Sequence, residues 1–419
     1  MKRYLIIFLT LLSTGILTAQ EKDESRFGIK LSGFVKNDFF WDTRQTVAAR
    51  EGHFLLWPSP VELDNNGNDL NGKSSFNFLA IQSRLSIGIS GPDAFGAKTS
   101  GLIEGDFFAQ ANDNVNLIRL RHAIVKLNWE HLEIMAGQYW NPLFVTGCFP
   151  GTVSFNTGTP LQSFARNPQL RLTYQSGGFS LLAAALSQRD FSNVGAAGAS
   201  SSYLRNSAIP DMHLQVHFGT ARSEGANILA GAGAAYKTIV PRLTNTPLPG
   251  ITYAVSEKVS GMSAMAFAKL TTEPITAKLQ VRYGENISDL LGISGYGATE
   301  MVDITTGEMN YTPLKSMTFW AEIHTNGNPQ VGVFGGLTQN NGSKEEVLSS
   351  SLVYGRATTI RSLYRIAPRI IYNVGKVRLA MELEYTHAAY GRNHDAFYIP
   401  SETTSADNLR VLAAIYYFF

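Results

Sequence analysis

One pattern runs the length of this chain and leaves it few folds: apolar and polar residues alternate at period two, segment after segment. Leu79, Ile81, Leu85, Ile87 and Ile89 oppose Gln82, Arg84 and Ser86. Ile275, Ala277, Leu279 and Val281 oppose Thr276, Lys278, Gln280 and Arg282; Val377, Leu379, Met381, Leu383 and Tyr385 oppose Arg378, Glu382, Glu384 and Thr386. Similar runs cover 27–41, 97–108, 169–174, 213–218, 317–324 and 360–370. A strand with one greasy and one polar face is half-buried, and a helical period fits none of these runs as well. One such run is ambiguous; their recurrence is the pattern of a membrane barrel, which turns every second residue to lipid.

The two ends of the sequence agree with that reading. Lys2 and Arg3 precede an uncharged stretch over 4–17, followed by Thr18, Ala19 and Gln20 and then a charged Glu21-Lys22-Asp23-Glu24. A basic start, a short apolar run and a small-residue exit predict a signal peptide over 1–20, leaving 21–419 as one domain. The run is too short for a permanent membrane helix, and no later stretch approaches that length. At the other end Leu409, Val411, Ala413, Ile415, Tyr417 and Phe419 form one apolar face that ends on an aromatic residue. Tyr417 and Phe419 are the expected assembly signal, read by the barrel-assembly machinery of the bacterial outer membrane. Localisation there, among outer-membrane lipids and lipopolysaccharide, follows from leader and strand pattern together.

Connections between the runs alternate in length. Short turns are expected at 91–93, 129–131, 176–178, 272–274, 313–316 and 374–376, where Gly and Pro supply turn dihedrals. Longer ones fall near 42–75, 141–167, 188–210, 238–256, 325–355 and 391–406. The predicted fold is therefore all-β, a transmembrane antiparallel β-barrel of about sixteen strands, within two either way. A barrel of that size cannot fill its interior with side chains.

The polar face then lines the lumen. Arg84, Arg119, Arg121, Arg171, Arg282, Arg361, Arg365 and Arg369 fall on it. Guanidinium groups keep their charge and offer paired donors to carboxylates, and rings of Arg or Lys bias a pore toward anions. The same arginines could instead pair with Glu104, Asp106, Glu322, Glu382 and Glu384 and stiffen the wall. Arg361, Arg365 and Arg369 recur every fourth residue, as a ladder would. The polar phase shifts after Arg121 to His122, Lys126 and Asn128, which predicts a bulge. The stretch 141–167 is long and too apolar for a free surface loop, so it is expected to fold inward and constrict the bore, with Arg166 beside the constriction.

Other chemistry is sparse. A single cysteine, Cys148, rules out a disulfide framework and reads as a buried free thiol. Asp64-Asn65-Asn66-Gly67-Asn68-Asp69 lacks the pattern of a calcium loop, and His213 and His217 lie too far apart on a strand to share a metal. No nucleotide-binding glycine motif, zinc pattern or nucleophile elbow occurs, so no cofactor or metal is expected. A net charge of +2, from 35 basic and 33 acidic residues, names no partner and gives no basic excess for nucleic acid. The residues thus read as a passive channel for small hydrophilic, preferentially anionic solutes, without enzymatic activity. Two alternatives stand beside it. One is a barrel enzyme of the lipase or protease kind, with His387, His394 and Asp395 the candidate groups. The other is a surface-binding or adhesive barrel.

Six short motifs resemble the DcaP-like outer-membrane porins: G-F-V-K-N-D at 33–38, S-R-L-S-I-G-I-S-G-P at 83–92, G-L-I-E-G-D-F-F at 101–108, R-L-R-H-A at 119–123, A-G-Q-Y-W at 136–140 and R-N-P-Q-L-R-L-T-Y at 166–174. Order and spacing agree; the C-terminal half is similar mainly in strand pattern and final Phe. The resemblance implies a homotrimer of sixteen-stranded barrels admitting small anions such as dicarboxylates. Members often carry an N-terminal periplasmic helical segment. Here only residues 21–26 separate leader from first strand.

Overall fold

The computed structural model describes residues 27–220 and 225–419; the leader expected over 1–20 lies outside them. Sixteen antiparallel strands close into a ring. They are β1 (Gly28–Asp42), β2 (in two pieces, Ser75–Leu79 and Arg84–Ser90), β3 (Lys98–Asp106), β4 (Arg119–Asn128), β5 (Leu132–Trp140), β6 (Arg166–Ser176), β7 (Phe179–Leu186) and β8 (Asp211–Thr220). The second half is β9 (Asn227–Ile239), β10 (Val259–Thr271), β11 (Ile275–Glu285), β12 (Glu308–Thr325), β13 (Gln330–Ser343), β14 (Ile360–Val374), β15 (Val377–His394) and β16 (Pro400–Phe418). β1 pairs with β2 on one side, Ile29 opposite Ile89, and with β16 on the other, Val35 opposite Tyr417. That last pairing closes the cylinder, so no strand edge is left within the ring. Phe419 and Gly33 exchange backbone hydrogen bonds at 3.2 Å.

The period-two pattern decides which way each side chain points. Ile29, Leu31 and Val35 stand exposed on the outer wall while Lys36 and Asp38, on the opposite face, are buried. Leu279, Leu379, Met381, Ile415, Tyr417 and Phe419 continue the outer apolar belt. So large a continuous apolar surface is untenable in water and suits hydrocarbon. Among the described residues no helix is long and apolar enough to cross a membrane; the strands make the crossing.

Short turns gather at one end, at 129–131, 177–178, 272–274 and 375–376, and long connections at the other, at 43–74, 141–165, 187–210, 240–258, 286–307 and 344–359. Both β1 and β16 have their free ends on the short-turn side. Three expected connections are corrected, the first being 391–406, which shortens to 395–399 because β15 and β16 stay paired out to His394 and Pro400. Pro313–Ser316 is no turn but lies inside the eighteen-residue β12. Proline is tolerated there because this part of β12 rises above the ring and pairs with an outer strand, Ser294–Asp303, that the sequence reading missed. Correspondingly, 325–355 is not one long loop: 326–329 turns, β13 follows, and only then does the outer connection begin. The glycines of β13 hid its alternation. A Cβ on Gly336 would stand 2.6 Å from the carbonyl oxygen of Phe319, so the strands approach too closely there for any side chain.

The bore is not empty. Residues 141–165 fold inward as expected, and most of them are buried. An unexpected second element joins them: the hairpin of Thr46–Ala49 and Phe54–Pro58, reached from the first outer connection. The two meet in an aromatic cluster, with Trp140 stacked on Phe144 at 3.9 Å, Phe108 on Phe155 at 4.1 Å, and Phe54 edge-on to Phe155 at 5.2 Å. Ile81, expected on the lipid face, turns into this cluster because β2 breaks at 80–83.

Candidate functional site

The inner wall grips the folded-in loop by its backbone. A buried backbone segment without regular structure must find partners for its N–H and C=O groups, and here charged wall residues supply them. Glu382 on β15 accepts from the Val153 and Ser154 amides at 2.7 and 3.1 Å. Glu384, two residues on and hence on the same face, accepts from the Asn156 side chain at 2.9 Å. Arg365 on β14 donates to the Thr159 and Leu56 carbonyls, both at 2.7 Å, and pairs with Glu384 at 3.1 Å, so it holds loop and hairpin together. Arg282 on β11 donates to Ser163 Oγ at 2.5 Å, Lys278 to the Phe149 carbonyl at 3.0 Å and Lys36 to the Val153 carbonyl at 3.0 Å. Glu322, on β12, accepts from the Gly151 amide and from Arg369.

A second cluster lies where β2 to β6 face the loop. Asp106 receives Arg119 Nε at 2.7 Å and Arg121 Nη1 at 2.8 Å; Glu104 receives Arg121 Nε at 2.7 Å, with Arg84 3.6 Å away. Arg119 and Arg121 share the inward face by alternation, and the register slip between Glu104 and Gly105 lets the next residue, His122, face inward as well, the bulge the shift in polar phase foretold. Arg166, at the loop's exit, donates to Asp190 at 2.6 and 2.8 Å. Asp190 sits on the outer connection 187–210. Burial pushes its carboxyl up, but Arg166 and Arg119 pull it down by more, leaving it below the ordinary aspartate value.

Toward the short-turn end the wall opens. Arg84, Lys126, Arg171, Lys269, Lys278 and Arg378 face inward and are each half-exposed, against the half-exposed carboxylates Glu104 and Glu133. A cavity of about 500 Å³ lies here, lined among others by Gln175, His217 and Lys269. Arg171 donates to the Trp140 carbonyl at 2.9 Å and to Gln169 at 2.8 Å, both neutral partners.

The residues singled out in the sequence therefore divide. Arg119, Arg121, Arg166, Arg282, Arg365, Arg369, Glu382 and Glu384 are buried at or beside the loop; Arg84, Glu104 and Arg171 reach the open side. The supposed ladder loses a rung. A register slip between Ile360 and Ser362 carries Arg361 out of line, and it donates to the Asn340 carbonyl at 2.5 Å. Cys148 is a buried free thiol, its Sγ 3.5 Å from the Ala268 carbonyl. Among the described residues no cluster could hold a metal. His394 stacks on Tyr398 at 3.9 Å rather than meeting an acid, and Asp395 accepts from the Ile399 amide. Sequence reading missed the buried trio in which Asp38 pairs with Lys36 and His53, each at 2.8 Å. The signal was present: Phe54-Leu55-Leu56-Trp57 is too apolar for a free outer loop.

No known family profile matches this sequence, and no curated protein is similar to it in sequence. Solved structures do share its fold. The outer membrane channel DcaP of Acinetobacter baumannii is 16% identical, with 94% of this chain and 97% of that one covered at a TM-score of 0.66. An anion-selective porin from Comamonas acidovorans is 10% identical, covering 94% and 100% at 0.53. OmpT, an outer membrane protein of Vibrio cholerae, is 10% identical, covering 96% and 99% at 0.54. The fold of this chain is thus that of the DcaP channel, the likeness its N-terminal motifs suggested.

Proposed function

We propose that this barrel is a passive channel of the bacterial outer membrane whose bore carries out no chemistry, admitting small hydrophilic solutes and preferring anions. One observation carries the preference: six half-exposed cations against two half-exposed carboxylates on the inner wall at the short-turn end. In a narrow, low-dielectric bore such an excess raises the local concentration of anions and lowers their barrier. Arg171 and Lys269 would receive the solute. The arginines and glutamates beside the loop set the bore's width and lay opposed charges across it. Dicarboxylates suit this wall, since two carboxylates can engage separate cations in turn.

A homotrimer is part of the same reading. The DcaP channel and the Comamonas porin share the fold, and a trimer form of the Vibrio OmpT does as well, at 10% identity and a TM-score of 0.53. The final strand, with Tyr417 and Phe419 outward at its end, would present the assembly signal before the ring closes. Residues 1–20 would serve as the export leader.

Proteoliposome swelling tests the proposal. With probes of matched size, succinate should enter faster than a neutral diol, and the diol faster than a diamine dication. The reverse order, or no swelling with any of them, would contradict it.

A further inference from the structure

A second polar site lies on the opposite side of the wall, facing lipid. His387 on β15 and Asp407 on β16 are direct cross-strand partners, and His387 Nδ1 meets Asp407 Oδ1 at 2.7 Å. Ser405, two residues before Asp407 and so on the same outer face, places its Oγ 3.4 Å from His387 Nε2. Tyr385 donates its hydroxyl to the same Asp407 oxygen at 2.6 Å, and the Tyr364 ring stacks on the imidazole at 4.8 Å. The imidazole is thus fixed in place, with one nitrogen toward an acid and the other toward an exposed hydroxyl. That is the order of groups in a nucleophile–base–acid relay.

Its height on the wall matters. His387 stands ten residues along the strand that starts at Val377. At about 3.3 Å per residue and a tilt of roughly 40°, that is about 25 Å above the short-turn end, the full height of an apolar belt. Leu379, Met381 and Leu383 fill the outer face below it. The site therefore sits where acyl chains give way to headgroups, at the depth of lipid ester carbonyls. The backbone beside it is open as well. Pairing of β16 with β1 ends at Arg410, the exchange between Thr43 and Leu409 is the last contact that the β16 backbone makes along that edge among the described residues, and the Gly391 amide on β15 bonds to Thr359, away from β16. By the antiparallel alternation, Ser405 and Asp407 then turn their N–H groups toward the edge that no strand covers. Donors of that kind can receive an oxyanion.

We propose that Ser405, His387 and Asp407 form a serine-hydrolase site for ester-linked acyl chains of outer-leaflet lipids, an activity separate from conduction. Ser405 Oγ attacks the ester carbonyl and its proton passes to His387 Nε2. The tetrahedral oxyanion is held by the open-edge amides. Collapse breaks the carbonyl–alkoxy bond, and the lipid alcohol leaves with the proton from His387. Water, deprotonated by His387, then attacks the acyl-serine and releases the fatty acid, restoring Ser405. Asp407 is the positioning residue that keeps His387 Nε2 free to accept.

The test uses the full chain folded into phosphatidylethanolamine vesicles, read by fatty-acid release and by a fluorophosphonate probe located through peptide mass spectrometry. The proposal expects the adduct on Ser405 and release that falls roughly a hundredfold or more in Ser405→Ala. Asp407→Asn should lower kcat while leaving KM unchanged, a split that a merely structural hydrogen bond does not produce. Heat-modifiable electrophoretic mobility confirms that each variant is folded, and His387→Gln serves as the inactive control should Ser405→Ala fail that check. Equal fatty-acid release from the wild type and a folded inactive variant, or an adduct anywhere but Ser405, would overturn it.

Discussion

Arg365 and Glu384, on the loop side of the lumen, are each about 1% exposed and lie 3.1 Å apart, every donor aimed at wall or loop. Lys269 and Arg171, on the turn side, are half-exposed, and among the described residues neither has a carboxylate at ion-pair distance. An arginine on the inward phase of the wall does different work in the two places. The first pair orders a loop; the second leaves charge available to whatever enters. What separates them is water. A buried ion pair is costly to break and contributes little field outside itself, whereas an unpaired, wetted cation acts on passing ions.

Breaking the dry side should give the largest effect. Glu384→Ala leaves Arg365 buried without its acid, which costs about 3–5 kcal/mol. Thermal unfolding followed by heat-modifiable mobility should shift accordingly, and single-channel conductance should rise as the loop loosens. An unchanged conductance would mean that the loop does not set the bore. Next comes the loop's exit. Asp190 is held below the usual 3.8. An acid with a lowered folded value adds stability above its unfolded value and loses it as pH falls through the folded one. As pH falls below the ordinary aspartate value toward the lowered folded one, the stability from the Arg166 anchor should therefore be lost progressively, and Asp190→Asn should remove that part of the acid sensitivity in a pH series of melting curves.

The wet side predicts the opposite division. Lys269→Glu with Arg171→Glu should move the zero-current potential toward cation preference, while the unfolding free energy changes by only about 0.5 kcal/mol or less. A destabilisation as large as that of Glu384→Ala would erase the distinction between the two regions. The smallest effect on the folded barrel belongs to Phe419→Ala. Its backbone bonds to Gly33 survive, so detergent-refolded protein should melt normally, while the amount inserted in cells drops. Normal insertion would remove Phe419 from the assembly signal.

How much of this was legible in the sequence follows from the same physics. The outer face was readable because lipid tolerates only apolar side chains, and period two exposes them: Ile29, Leu379 and Ile415 all fell where expected. The inward loop was readable from its excess of Phe and Val over 141–167. What stayed hidden depended on partners distant in sequence. Arg365 finds Leu56, 309 residues away, and Arg166 finds Asp190 on a separate connection. Alternation places a guanidinium inside the barrel but does not reveal whether a loop will cover it. The outer hairpin at Ser294–Asp303 was missed because its glycines and its partner β12, above the ring, have no lipid face to alternate against. The His387–Asp407 pair escaped because twenty residues separate its members and only the register of β15 on β16 joins them.

The central claim is a water-filled bore with an anion preference, and the most direct measurement is the reversal potential of the purified barrel in a planar bilayer under a potassium chloride gradient. A steady conductance whose zero-current potential has the sign of chloride permeation is the predicted result. A potential of the potassium sign, or a bilayer that stays silent after insertion of folded protein, would contradict it.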